Sequence, residues 1–109
     1  RRRMANVAPH LFDADETVLT FAWAPIQKAQ RYGVQLRAVG SEEWTTDATI
    51  SSAVLKKKNL EPGKEYECRY RPRDAVDFLP DSEWSAISAP GRTLPEGTVR
   101  LLAPTKADG

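Results

Sequence analysis

The stretch Leu60-Glu61-Pro62-Gly63-Lys64-Glu65-Tyr66 decides the fold. Pro62 fixes one dihedral of a tight turn, and Gly63 supplies a backbone conformation that a side chain resists. On either side of the turn, Leu60 plugs the core as one strand leaves it, and Tyr66 enters the core as the next begins. A tyrosine in that place sends its hydroxyl back to a backbone carbonyl a few residues upstream and so pins the crossing between two sheets. The strand that Tyr66 opens is the clearest in the chain. Tyr66, Cys68 and Tyr70 alternate with Glu67, Arg69, Arg71 and Arg73, the period of two that a half-buried strand requires.

The same alternation recurs on both sides of the corner. Residues 18–23 place Leu19, Phe21 and Trp23 on one face and stop at Pro25; residues 32–37 do the same with Tyr32, Val34 and Leu36. Further strands are expected at 7–12, ahead of a turn at Asp13–Glu16, at 43–47, at 52–58, and at 84–93 around Ile87. Seven short strands separated by Pro, Gly and Asp, with no amphipathic helical stretch between them, predict an all-β fold: a seven-stranded antiparallel β-sandwich rather than a βα repeat.

Composition narrows the function classes. The chain has 109 residues, 40% hydrophobic and 28% charged, with 16 Lys plus Arg against 15 Asp plus Glu. That is enough chain for one core without a metal or disulfide staple. Arg1, Arg2 and Arg3 hold three of the positive charges; without them thirteen face fifteen, a net of −2. A mildly acidic body is not a nucleic-acid-binding domain. No apolar run is long enough to insert in a membrane. One Cys and one His exclude an internal disulfide and a multi-histidine or Cys-based metal centre, and no cofactor motif is present. Residues 1–6 are expected to be a basic linker or remnant, 7–94 the domain, and 95–109 a linker or the start of a further unit. A lone thiol and no glycosylation sequon after Asn6 or Asn59 point towards an intracellular setting without fixing the compartment.

In the order in which these residues occur, the chain resembles a fibronectin type III domain. The resemblance rests on Phe21-Ala22-Trp23-Ala24-Pro25, on Tyr32 with Val34 and Leu36, on Leu60, Pro62, Gly63 and Tyr66, on the alternating strand through Tyr70, and on Ser85. It spans residues 7–94 and implies a Greek-key sandwich of immunoglobulin-like type, with Trp23, Tyr32, Leu60, Pro62, Gly63 and the tyrosine corner at Tyr66 as structural residues. Two positions depart from it. Lys57 stands where that family has an apolar residue, so a snorkelling stem or a bulge is expected. Pro72 sits late in the sixth strand, where pairing is expected to end or kink early. Trp84-Ser85-Ala86-Ile87-Ser88 partly resembles the Trp-Ser-x-Trp-Ser box of cytokine-receptor domains, with Ile87 in place of the second Trp. That resemblance implies a stack of Trp84 on neighbouring arginines. The receptors' paired disulfides cannot form with Cys68 alone, so cytokine binding is not implied.

Catalytic chemistry is not expected. His10 lies ahead of the core strands, Cys68 is on the inward phase, and the carboxylates of Glu42-Glu43 and of Asp74, Asp77 and Asp81 lack the spacing of a calcium loop or a glycosidase pair. Binding residues are expected in three places. Arg37, Arg69, Arg71 and Arg73 should project from one sheet face, bordered by Gln35, Glu67, Trp44 and Trp84, suited to an acidic or phosphorylated segment or an anionic glycan. The plainer alternative is a solvated face whose arginines pair with Glu67 and Glu83. The loop 74–81 carries Phe78 and Leu79, either as an exposed apolar tip or folded back over the core edge. Lys56, Lys57 and Lys58 should guard a strand edge. The expected role is a non-catalytic protein–protein interaction or spacer module of a larger multidomain protein. Its partners would be another protein or neighbouring domains, and it would be monomeric by itself. An accessory domain of a carbohydrate-active enzyme and a purely structural spacer in a tandem array are the alternatives.

Overall fold

The computed structural model describes residues 7–80 and 82–97; the basic start with Arg1, Arg2 and Arg3, Asp81 and the segment 98–109 lie outside the described residues. Seven strands run in chain order as β1 (His10–Ala14), β2 (Leu19–Ala22), β3 (Arg31–Ala38), β4 (Thr46–Ile50), β5 (Val54–Lys57), β6 (Glu65–Arg73) and β7 (Gly91–Arg92). They form two antiparallel sheets, β1-β2-β5 and β4-β3-β6-β7. Leu19 and Phe21 from one sheet meet Tyr32, Val34, Leu36, Tyr66, Cys68 and Tyr70 from the other, all buried. The alternating residues of the sequence therefore supply the core. Its centre is aromatic: Trp23 stacks on Tyr70 with ring centroids 4.5 Å apart, and Tyr32 meets Trp23 edge-on at 5.4 Å.

The corner is tied from three directions. Gly63 has φ +66°, which a residue with a Cβ adopts only under strain. The Tyr66 hydroxyl reaches back to Glu61, but it accepts a hydrogen bond from the Glu61 N–H at 3.0 Å rather than donating to a carbonyl. Thr93, fully buried, donates its hydroxyl to the Glu61 carbonyl at 2.6 Å and accepts from the Lys64 N–H at 3.0 Å. Asn59, with φ +64°, turns the chain into the corner.

Several elements differ from the sequence expectation, each for an identifiable reason. β1 begins at His10, past Pro9, and includes Asp13 and Ala14, so the turn after it closes through Asp15 N–H to Val18 O at 2.8 Å. β4 starts at Thr46 rather than at residue 43. The preceding segment is held by Ser41, whose hydroxyl accepts from the Glu43 N–H and donates to the Glu43 carbonyl. Trp44 is thereby left on the outer face of the sheet.

The strand expected at 84–93 is reduced to the two residues of β7. Along 85–88 the serines take the place of a strand. Ser85 N–H donates to Tyr70 O at 2.7 Å while the Ser85 hydroxyl accepts from Tyr70 N–H at 3.1 Å; Ser88 does the same with Cys68, at 2.9 and 3.0 Å. Residues three apart here serve β6 residues two apart. The extra residue breaks the period of two that a pleated strand requires.

Pro72 does not end pairing: β6 continues through Pro72 opposite Tyr32 and Arg73 opposite Arg31. Cys68, Tyr70 and Pro72 turn their backbone groups away from β3, towards Ser88, Ser85 and Leu79. The donor that proline lacks is therefore on the side where β3 does not need it.

Candidate functional site

The outer face of the four-stranded sheet is set by the register between its two central strands. Opposite pairs are Arg37 with Glu67, Gln35 with Arg69, Gly33 with Arg71 and Arg31 with Arg73. Each of these positions alternates with a core residue, so all of them stand on the exterior. The arginines expected on one face are on one face, but they do not form an open grid of cations. Arg37 Nε donates to Glu67 Oε2 at 2.7 Å, Arg69 Nε to Gln35 Oε1 at 2.8 Å, and Arg71 Nε to Ser82 Oγ at 3.2 Å. Arg73 donates from Nη2 to Val76 O at 2.8 Å, and its Nε is buried without a partner.

Aromatic rings fill the spaces between the guanidiniums. The guanidinium carbons of Arg37 and Arg69 lie 4.2 and 4.4 Å from the Trp44 ring centroid, and Arg69 also lies 4.6 Å from that of Trp84. Arg71 sits 4.3 Å from the Phe78 centroid and Arg73 5.5 Å. Phe78 and Trp84 meet edge-on at 5.8 Å. Each such contact contributes about 0.5–1 kcal/mol when exposed. Their larger effect is to remove rotamer freedom from long cationic side chains. Burial first, and then the neighbouring charge of Arg37, lowers the pKa of Arg69 from its ordinary value; the guanidinium stays charged at neutral pH.

The loop between Arg73 and Ser82 is built to deliver Phe78 to this face. Asp74 Oδ1 accepts from the N–H groups of both Val76 and Asp77 at 2.7 Å, and Asp74 N–H donates to Asp77 O at 2.8 Å. Those amide hydrogen bonds, from Asp77 and then Val76, hold the Asp74 carboxyl below the usual carboxylate range, with Arg73 assisting. Phe78 then bridges back to Arg73 in β fashion, and Leu79 N–H donates to Pro72 O at 3.1 Å. Neither alternative read from the sequence for Phe78 matches. The ring is not a wet tip, and it covers the outside of the sheet rather than the core edge. Val76, 83% exposed, is the tip.

The space for that ring comes from Gly33. A Cβ at position 33 would stand 2.9 Å from Phe78 Cε1, so glycine opposite Arg71 lets the ring seat where it does, and a side chain there would make it shift. Elsewhere, His10 is exposed on the edge strand β1, and Cys68 is fully buried with its thiol pushed up to about 12 by desolvation. Among the described residues, no three metal-ligating side chains converge, and no helix is long and apolar enough to cross a membrane.

The same two-sheet arrangement recurs among solved structures. The fibronectin type III domain of the human collagen alpha-1(XX) chain superposes with a TM-score of 0.66 at 19% identity, over 92% of this chain and 93% of that one. The twitchin kinase region of C. elegans matches at 0.66 and 15% identity over 89% of this chain, and the titin kinase with its flanking domains at 0.64 and 17% over 82%. The chain has the fibronectin type III fold. It spans 18% of the twitchin structure and 17% of the titin structure. No family model and no curated protein matches the sequence.

Within this fibronectin type III sandwich, Trp23, Tyr32, Tyr66 and Leu60 belong to the core or its margin, and Pro62 and Gly63 form the corner turn. Arg37, Arg69, Arg71, Arg73, Trp84 and Phe78 come together on one exterior face, whereas Leu79 is half-buried beside Pro72. Sequence reasoning missed Gly33 and Ser82 on that face. The signal for Gly33 was present, since a glycine in the middle of an alternating strand marks a close approach. Nothing in the sequence marks Ser82.

Proposed function

We propose that this chain is a non-catalytic interaction module of a longer protein, and that its arginine–aromatic face binds an acidic segment of a partner protein or a neighbouring domain. The observation that carries the reading is the immobilisation of the arginines. Arg37, Arg69 and Arg71 each commit their Nε to the protein's own side chains, and each rests on at least one ring. A guanidinium held that way presents a planar fork to a carboxylate at little further entropic cost. Rigid presentation implies little change of shape on binding. The fold's occurrence beside kinase domains in the titin and twitchin structures supports a modular role.

A capped glutamate-rich peptide is the probe, with arginine Nε resonances as the readout. Titration is expected to shift the Arg69 and Arg71 signals saturably. Replacing Arg69, Arg71 and Arg73 together by Ser should weaken affinity at least tenfold, or about 1.4 kcal/mol or more. Lysine at the same three positions keeps the charge without the fork and should recover only part of that loss. Nε resonances that stay fixed at saturating peptide overturn the assignment.

A further inference from the structure

A sandwich of two sheets has four outer edges, and three of them here are blunted. β1 carries a register shift between Leu11 and Asp13, and Pro9 precedes it. β5 runs into Lys56, Lys57 and Lys58. The edge beyond β6 is occupied by the serine-bonded segment and Pro90. Irregular strands, edge lysines and prolines are the devices that keep strands from pairing with strangers. The fourth edge, Thr46-Asp47-Ala48-Thr49-Ile50, has a single charge and neither proline nor register shift.

The register shows which groups that edge offers. On β3 the odd residues face β6, as the Val39 N–H to Glu65 O bond at 3.0 Å demonstrates, so the even residues Tyr32, Val34 and Leu36 face β4. Their partners are Ile50, Ala48 and Thr46. Antiparallel ladders alternate strictly, which leaves the N–H and C=O of Asp47 and Thr49 directed outward.

Beside this edge, between the two sheets, a cleft of about 340 Å³ opens. Its lining combines the apolar Ala38, Leu60 and Tyr66 with Thr46 and three charged residues, Lys57, Glu61 and Lys64. Lys64 is already paired with Glu61, 3.3 Å away. Lys57, half-buried on the inward phase of β5, has no carboxylate within 4.0 Å among the described residues. With Glu61 taken up by Lys64, Lys57 leaves the cleft lining with one positive charge in excess, which favours an anionic side chain there.

We propose that the β4 edge is a docking site for an extended acidic segment of a partner protein. The segment adds as a fifth strand, bonded to the backbone of Asp47 and Thr49. One glutamate or aspartate, opposite Thr46, enters the cleft beside Lys57. Main-chain bonds supply the adhesion of strand addition, and side-chain pockets supply its specificity. This edge adjoins the arginine face at Thr49, whose Oγ1 accepts from Arg73 Nη1 at 3.4 Å, but its outward backbone groups are different atoms from the Arg69 and Arg71 guanidiniums and report on it separately.

The test uses a capped peptide of alternating threonine and valine with one central glutamate, and a counterpart with glutamine there. In amide spectra of the protein, the glutamate peptide is expected to shift the Asp47 and Thr49 N–H signals and to slow their exchange, leaving the Arg69 and Arg71 Nε signals unmoved. Thr49→Pro removes one outward donor without touching the ladder to β3, as Pro72 does on β6, and should abolish binding while the fold's spectrum persists. Lys57→Gln should weaken the glutamate peptide about tenfold and leave the glutamine peptide unchanged. Equal binding of the two peptides, shifts confined to β1 or β5, or Thr49→Pro binding like the parent each overturn the proposal. So does concentration-dependent dimerisation through β4, which would make the occupant a second copy of this chain.

Discussion

Gly33 has no side chain, and Phe78 occupies the space where one would be. That single relation holds the loop 74–80 against the sheet, because the ring is also the platform for Arg71 and Arg73 and the edge partner of Trp84. Gly33→Ala should therefore push the ring off the face. Because the half-exposed ring can yield, the expected cost lies below the roughly 1–3 kcal/mol of overpacking a closed core, with a change in the Trp84 fluorescence. A parent-like midpoint with unaltered fluorescence would show that the ring does not depend on that space. The arginines of the face were legible from the sequence, because Arg69, Arg71 and Arg73 keep strict period with buried Cys68 and Tyr70. Trp44 and Trp84 were expected at its border and do lie over Arg37 and Arg69; the place of Phe78 between Arg71 and Arg73 was not legible. Phe78 arrives from a loop, and its position does not follow from a strand's period.

At the scale of the element, β6 is the strand on which both sheet and site depend, and its outer edge is unusual. The buried N–H groups of Cys68 and Tyr70 have hydroxyl oxygens as acceptors, Ser88 and Ser85. Ser88→Ala leaves the Cys68 N–H in the interior without an acceptor and should cost about 1–3 kcal/mol, the penalty for an orphaned buried donor. Ser41→Ala, in an exposed turn, should cost well under that. Chemical denaturation of the two variants compares them directly, and equal midpoints would mean that the serine hydroxyls do not carry the edge. The expected strand at 84–93 failed for the same physical reason. Serines and a proline look like punctuation around Ile87, whereas their hydroxyls bond to a neighbouring strand that only the tertiary fold supplies. By contrast β3 and β6 were readable almost to the residue, since long strict alternation admits one register with the apolar side inward. β4 was misplaced because Trp44 and Thr45 carry strand propensity but are used on the outer face and in a turn.

The whole molecule stores its one thiol and its most deeply buried phenol in the same core. Cys68 is fully buried and desolvation takes its thiol from 9.0 to about 12. Tyr70 is raised too, by burial and then by Tyr32, while its hydroxyl donates to Val7 O at 2.7 Å. Both groups are neutral when folded and ionise more readily once exposed. Below pH 9 the thiol is protonated in either state and the folded form keeps its full advantage. Above that value the unfolded chain releases a proton that the folded chain retains, so stability falls with rising pH until the folded thiol itself ionises near 12. The slope for one such group is at most about 1.4 kcal/mol per pH unit. Cys68→Ala should be less stable at neutral pH because of the cavity it leaves, yet lose less stability between pH 9 and the highest pH at which folding persists. Tyr70 keeps some slope in that variant, and its ionisation, followed by ultraviolet absorbance, should coincide with global unfolding. Titration of Tyr70 in a still-folded chain, or parallel pH profiles for parent and variant, would show that neither buried group governs the alkaline limit.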